Sequence, residues 1–87
     1  MAPVPLMARR RFRPIQIDWK RSSVAWGYAY IEEHRIELDP RMTDEKLLEV
    51  AAHEVAHIIL PQLDEATITL LGRHIGDVLY RLSFRRG

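Results

Sequence analysis

Apolar and polar positions alternate in the first half of the chain and recur every three to four residues in the second. After Pro14, Ile15, Ile17 and Trp19 alternate with Gln16 and Asp18, which is the period of a short strand. From Val24 to Ile31, β-branched and aromatic residues dominate. Trp26, Tyr28 and Tyr30 share one face of this segment, and Ala25, Gly27, Ala29 and Ile31 share the other. Glu32, Glu33 and His34 interrupt the run as a turn, and Ile36 and Leu38 resume it. Residues 24–38 therefore read as a hairpin, ended by Asp39-Pro40. Thr43 is a plausible N-cap, with Asp44 and Glu45 in a first turn that favours negative charge. The helix it starts should reach about Leu60, where Pro61 stops it. Asp64 can cap a second helix, with Leu63 stapled to Ile68. Ile68, Leu71, Ile75, Val78, Leu79 and Leu82 then recur at helical spacing to about Ser83. The order predicts an α+β domain: a small, about three-stranded, antiparallel-type sheet followed by two packed helices lying on one of its faces. Trp19 and Trp26 are expected in its core.

Composition narrows what such a fold can be. The chain has 87 residues and no cysteine, so one domain is expected, over residues 14–87. A domain this short buries only roughly 60–65% of the surface its unfolded chain exposes, and so benefits from an added staple. Without cysteine, disulfides, thiol catalysis and cysteine-ligated metal sites are excluded, and a metal must sit on His, Asp or Glu. The net charge of +1 conceals an uneven distribution. Residues 1–30 hold six basic groups against one acid, residues 31–77 hold four against eleven, and residues 78–87 add three arginines. Residues 1–13 read as a flexible basic arm. Basic ends suit a solvated tail, an acidic partner or nucleic acid, though no nucleic-acid motif accompanies them. No apolar run is long enough for a membrane span, and the N-terminal charges follow the apolar stretch rather than precede it, unlike a secretory signal. A cytoplasmic, intracellular protein is the expectation.

The first helix carries the chemistry. His53-Glu54-Val55-Ala56-His57 is an H-E-x-x-H pattern. Residues four apart sit one turn apart on one helix face, so two imidazoles can reach one Zn2+ ion, with Glu54 placed beside it as a general base. Helical phase separates this from a pair of core histidines. With His53 at zero, His57 falls at about 40°, while Leu47, Leu48, Ala51, Ala52, Val55, Ile58 and Ile59 fall between about 120° and 260°. A catalytic zinc wants a third protein ligand. Asp64, Glu65, His74 and Asp77 are available downstream. With Ile68 at zero, Glu65 falls near 60°, with Gly72 and Gly76 close by, whereas His74 and Asp77 fall near 240° and 180°. The glycines would let the helices approach on that side, and Asp64 can serve as cap, which leaves Glu65 free to be the ligand. For a donor to the transition state, Tyr28, Tyr30, His34, Tyr80 and His74 are candidates; Tyr28 and Tyr30 read equally as substrate contacts or as core residues on a strand face. His34 otherwise reads as a turn residue and His74 as surface.

Residues 48–57, LEVAAHEVAH, resemble the active helix of gluzincin metallopeptidases. The preceding IELDP, residues 36–40, resembles the strand before that helix in the small ImmA/IrrE-like and SprT-like groups, often phage or bacterial. Residues 63–82 resemble the glutamate helix of minimal proteins of this kind. The resemblance spans roughly residues 24–82. It lacks the third downstream His of SprT-like proteins, which favours the gluzincin side. It implies a zincin-like minimal core, one zinc per chain on His53, His57 and Glu65, Glu54 as catalytic base, and hydrolysis of a peptide or protein substrate. An edge strand could hold that peptide, and a partner protein or a second copy could complete the cleft. Two other readings stand beside it: a non-catalytic, zinc-stabilised protein-interaction module, and a DNA-associated accessory protein using its basic termini.

Overall fold

The computed structural model describes residues 12–82 and residue 84. Most of the expected basic arm, residues 1–11, and the terminal Arg85 and Arg86 lie outside the described residues. Three strands precede two helices: β1 (Gln16–Trp19), β2 (Gly27–Tyr30), β3 (Arg35–Leu38), α1 (Asp44–Ile59) and α2 (Glu65–Arg81). This is the α+β layout expected from the pattern. The β2–β3 hairpin is antiparallel, turning through residues 31–34, where His34 adopts the left-handed region with φ of 52°.

The sheet is mixed rather than wholly antiparallel. Its order is β1-β3-β2, and β1 runs parallel to β3. The three strands alternate in direction along the chain, so placing the third in the middle makes it parallel to the first. The β1–β2 connection must then cross the C-terminal end of β3 to reach the far edge.

Paired residues share a face. Ile36 and Leu38, at 1% and 3% exposure, turn towards α1 together with Gly27 and Ala29 opposite them. They form the core with Met42, Leu47, Val50 and Ile58. α1 packs on β2 and β3 but not on β1. Ile17 and Trp19 pair with Ile36 and Leu38 and so share the covered face, yet they overhang the helix at the sheet's edge. That corrects the expectation for Trp19, which is 52% exposed. Trp26, at the start of β2, is 46% exposed and is likewise not a core residue.

Both caps form as expected. Thr43 Oγ1 accepts from the Lys46 amide at 3.3 Å, and Asp64 accepts from the Thr67 amide at 3.2 Å. The position of α2 differs from expectation. It packs against α1 and touches no strand, so the layers are sheet, α1 and α2 in sequence. Its buried residues are Ile68, Gly72 and Gly76, spaced four apart. Ile75, Val78 and Leu82 of the apolar stripe remain exposed. Closest approach, rather than greatest hydrophobicity, chose the face. A Cβ on Gly76 would stand 2.6 Å from Glu49 Cα, and one on Gly72 would stand 3.1 Å from His53 Cβ. Both glycines thus serve the pairing of helices within this chain. Among the described residues, no helix is long and apolar enough to cross a membrane.

Candidate metal centre

The glycine contact brings the start of α2 beside the H-E-x-x-H turn of α1. Asp64 is engaged as cap, also accepting from Thr67 Oγ1 at 2.6 Å, and Glu65 is left to reach across. Its Oε1 lies 2.8 Å from His53 Nε2 and its Oε2 lies 3.0 Å from His57 Nε2. The two Nε2 atoms are 3.2 Å apart. These three side chains form the group among the described residues able to hold a metal ion.

The donor set fits a cation. Two imidazole nitrogens facing each other repel unless a proton or a metal lies between them, and a carboxylate closes the triangle. A tetrahedral zinc with ligands at about 2.0–2.1 Å would hold its donors about 3.3 Å apart. The observed separations lie a few tenths of an ångström inside that value, within side-chain adjustment. Glu65 is 66% exposed at its side chain, so the cluster opens to solvent on the α2 side. Neither Nδ1 has a hydrogen-bond partner among the described residues, which leaves packing to orient the rings.

Glu54 sits apart from the triangle, buried at 9% exposure beneath β2. Nothing among the described residues hydrogen-bonds its carboxylate. Burial pushes its pKa up. His57 draws it down and the nearby Glu65 carboxylate pushes it up further. Room for Glu54 comes from Gly27, where a Cβ would stand 3.1 Å from Glu54 Cγ and 2.9 Å from Val50 Cγ1. In the sequence, Gly27 shows only as a small residue on a strand face. A glycine inside an aromatic, β-branched run is nevertheless a recognised sign of close approach.

A pocket of about 400 Å³ contains the cluster and Glu54, and it is walled by Ala25, Trp26 and Gly27 on one side and by Lys46, Glu49 and Thr69 on the other. Its strand wall has an open edge. Trp26 O accepts from the Asp39 amide at 2.9 Å, which makes 28/37 and 30/35 the hydrogen-bonded pairs of the ladder. Gly27 and Ala29, opposite Leu38 and Ile36, therefore turn their N–H and C=O groups outward. β2 is an edge strand, so these groups are unpaired with any other strand among the described residues, and Gly27 borders the pocket.

The structure does not bring the expected tyrosines here. The pleat points Tyr28 and Tyr30 to the face turned away from α1. There Tyr30 Oη donates to Glu37 at 3.2 Å, and the Arg35 guanidinium lies 4.0 Å from the Tyr30 ring centroid. This places both tyrosines away from the metal cluster, with Gly27 and Ala29 in the register that faces α1. His34 is a turn residue whose Nε2 lies 2.8 Å from Arg13 O. His74 and Asp77 line a separate groove with Glu45 and Arg73. No protein-family model, curated protein or solved structure matches the chain.

Proposed function

We propose that this chain is a zinc-dependent metallopeptidase of the gluzincin type, acting inside the cell on extended peptide segments. The observation that carries the reading is the convergence of His53 Nε2, His57 Nε2 and the Glu65 carboxylate within 3.2 Å of one another, beside the buried Glu54. A zinc ion held there would supply Lewis-acid polarisation of a carbonyl and a water of lowered pKa. Glu54 takes the proton as the water oxygen bonds to the peptide carbonyl carbon. It then delivers that proton to the amide nitrogen as the C–N bond breaks, leaving a carboxyl and an amine. Gly27 and Ala29 offer N–H and C=O groups to an extended substrate, which adds to β2 as a further strand. Trp26, half exposed at the pocket wall, offers an apolar surface to one substrate side chain.

The test is metal content and hydrolysis measured on the same preparations. Untagged protein should contain about one zinc per chain, and His57→Ala should remove it. Glu54→Gln should keep the zinc and the fold while lowering cleavage of a peptide pool by at least about 100-fold. Cleavage surviving in Glu54→Gln refutes the assigned role of Glu54. Full zinc without cleavage in the wild type refutes the enzyme reading and leaves the ion as a staple between the helices.

A further inference from the structure

The connection between β1 and β2 is short, exposed in part and poor in apolar anchors, yet it forms the strand-side wall of the pocket at Ala25 and Trp26. Its two ends are tied to β3 and Asp39 by backbone bonds, from the Lys20 amide to Leu38 O and from the Asp39 amide to Trp26 O, and its middle is held through the Asp39 side chain. Asp39, 1% exposed, stands just past the end of β3, where this connection crosses. Its Oδ2 accepts from the Ser22 amide at 3.0 Å and from Arg41 Nη2 at 2.6 Å. Its Oδ1 accepts from the Arg41 amide and from Arg41 Nε, each at 2.9 Å. Arg41 Nη2 in turn donates to Ser22 O at 2.9 Å. Ser22 passes the constraint on, since its Oγ accepts from the Val24 and Ala25 amides at 3.1 and 3.3 Å. The far end is tied to the same residue by the bond from the Asp39 amide to Trp26 O, at 2.9 Å.

We propose that Asp39, with Arg41, is a positioning residue: it fixes the Ser22–Trp26 segment, whose Ala25 and Trp26 wall the metal pocket, and thereby sets how tightly an extended peptide docks along β2. The role in docking rests on the peptidase reading, whereas the clamp on the rim stands on geometry alone. A buried carboxylate is an expensive way to add stability, since an apolar residue would serve the core as well. A planar carboxylate and guanidinium pair gives directed bonds to two points of a chain that has no ladder of its own. Every side-chain bond of Asp39 goes to Ser22 or Arg41, and none goes to the histidines, Glu54 or Glu65. Loosening the clamp should therefore change substrate binding and spare the metal and the proton transfer.

The experiment compares zinc-loaded wild type with Asp39→Asn on a quenched-fluorescence octapeptide pool. An Asn amide presents N–H groups to the guanidinium and can serve only part of the bonds. KM should rise about tenfold, with kcat and zinc affinity within about twofold of wild type, because the lost contact acts equally on ground and transition states. An unchanged KM overturns the proposal. So does a parallel fall in kcat and zinc affinity, which would mark a merely structural role. Should Asp39→Asn not fold, Arg41→Ala carries the test, since it retains the Asp39 to Ser22 bond and should give a smaller KM rise of the same kind. Amide exchange separates the two layers of the reading. In Asp39→Asn the Val24 and Ala25 amides should exchange about tenfold faster while those of residues 53–57 do not change. Unchanged rim exchange overturns the clamp, whether or not the protein cleaves peptides. A wild type that cleaves nothing overturns the peptidase reading and with it the docking role.

Discussion

Gly76→Ala opposes two effects of known sign. On propensity alone, alanine at an interior helical position should stabilise the protein by about 1 kcal/mol. The packing of α2 on α1 reverses that expectation. The new Cβ would stand 2.6 Å from Glu49 Cα and 2.7 Å from Glu49 N, where ordinary contact begins at 3.4 Å. The obstacle is the backbone of the middle of α1, which no rotamer change can move aside. α2 must withdraw by about 0.8 Å at that point. A gap of 0.5–1 Å forfeits about a quarter to a half of each contact's attraction, and overpacking against backbone that cannot yield falls in the upper part of the usual range, about 2–3 kcal/mol. The net expectation is a loss of about 1–2 kcal/mol in the metal-free protein, or a melting temperature lower by about 5–15 °C for a domain of this size. Thermal and urea unfolding would measure it, with His74→Ala on the exposed flank of α2 as the propensity control. Gly72→Ala meets looser contacts, 3.0 Å to Glu49 O and 3.1 Å to His53 Cβ. It should cost less stability but shift His53 and weaken zinc binding about tenfold. A Gly76→Ala protein as stable as wild type, or more so, would refute the close-packed glycine interface and the placement of Glu65 that depends on it.

If the centre holds zinc, chelation or Glu65→Ala should loosen α2 and lower the melting temperature in calorimetry, because the ion would add a tie between α1 and α2. Ile68→Ala removes the one fully buried large side chain of α2, 0% exposed, and should cost about 3 kcal/mol in urea unfolding. The Arg41 guanidinium beside Asp39 holds its carboxyl well below the usual carboxylate range, helped by the Ser22 and Arg41 amides and opposed by burial. A carboxylate lowered in the folded state adds stability above its unfolded pKa of about 4 and loses it as pH falls further. The stability gap between wild type and Asp39→Asn should thus be full at neutral pH and shrink below about pH 4 in acid titrations followed by circular dichroism; a gap that widens in acid refutes the assignment.

Much of this fold is local and therefore readable. Thr43 and Asp64 announce helix starts by capping chemistry, and Pro61 ends the first helix, because each acts within three or four residues of itself. Strand faces follow from alternation alone, so Gly27 and Ala29 could be assigned to one side and Tyr28 and Tyr30 to the other. What alternation does not carry is which side meets α1. The tyrosines looked like the functional face because aromatic hydroxyls are chemically richer than glycine and alanine, yet a helix can approach a sheet closely only over the small residues. The same physics kept α2 off the sheet, where its apolar stripe was expected to lie, and packed it on α1 through the glycine side that the helical phase had placed there. Its apolar stripe is the stronger signal in the sequence, but Gly72 and Gly76 let two backbones touch, and that contact set the rotation of the helix.

The candidate site divides along the same line. His53, Glu54 and His57 are joined by one helical turn, and their grouping needs no tertiary information. Glu65 is eleven residues from Glu54 and required the phase of a second helix, which the glycines on its flank supplied. Asp39, Arg41 and Ser22 were invisible as a unit, because their association depends on the crossing of the β1–β2 connection over β3. That crossing follows from the strand order β1-β3-β2, which nothing in the hydrophobic pattern encodes. A wholly antiparallel meander of the same three strands would run β1-β2-β3, leave β2 paired on both sides, and present no strand edge to the pocket. The mixed topology therefore does more than rearrange a small sheet. It puts the glycine-bearing strand at the rim, opens its N–H and C=O groups beside Glu54, and needs a clamp at residue 39 to hold the connection that makes this order possible.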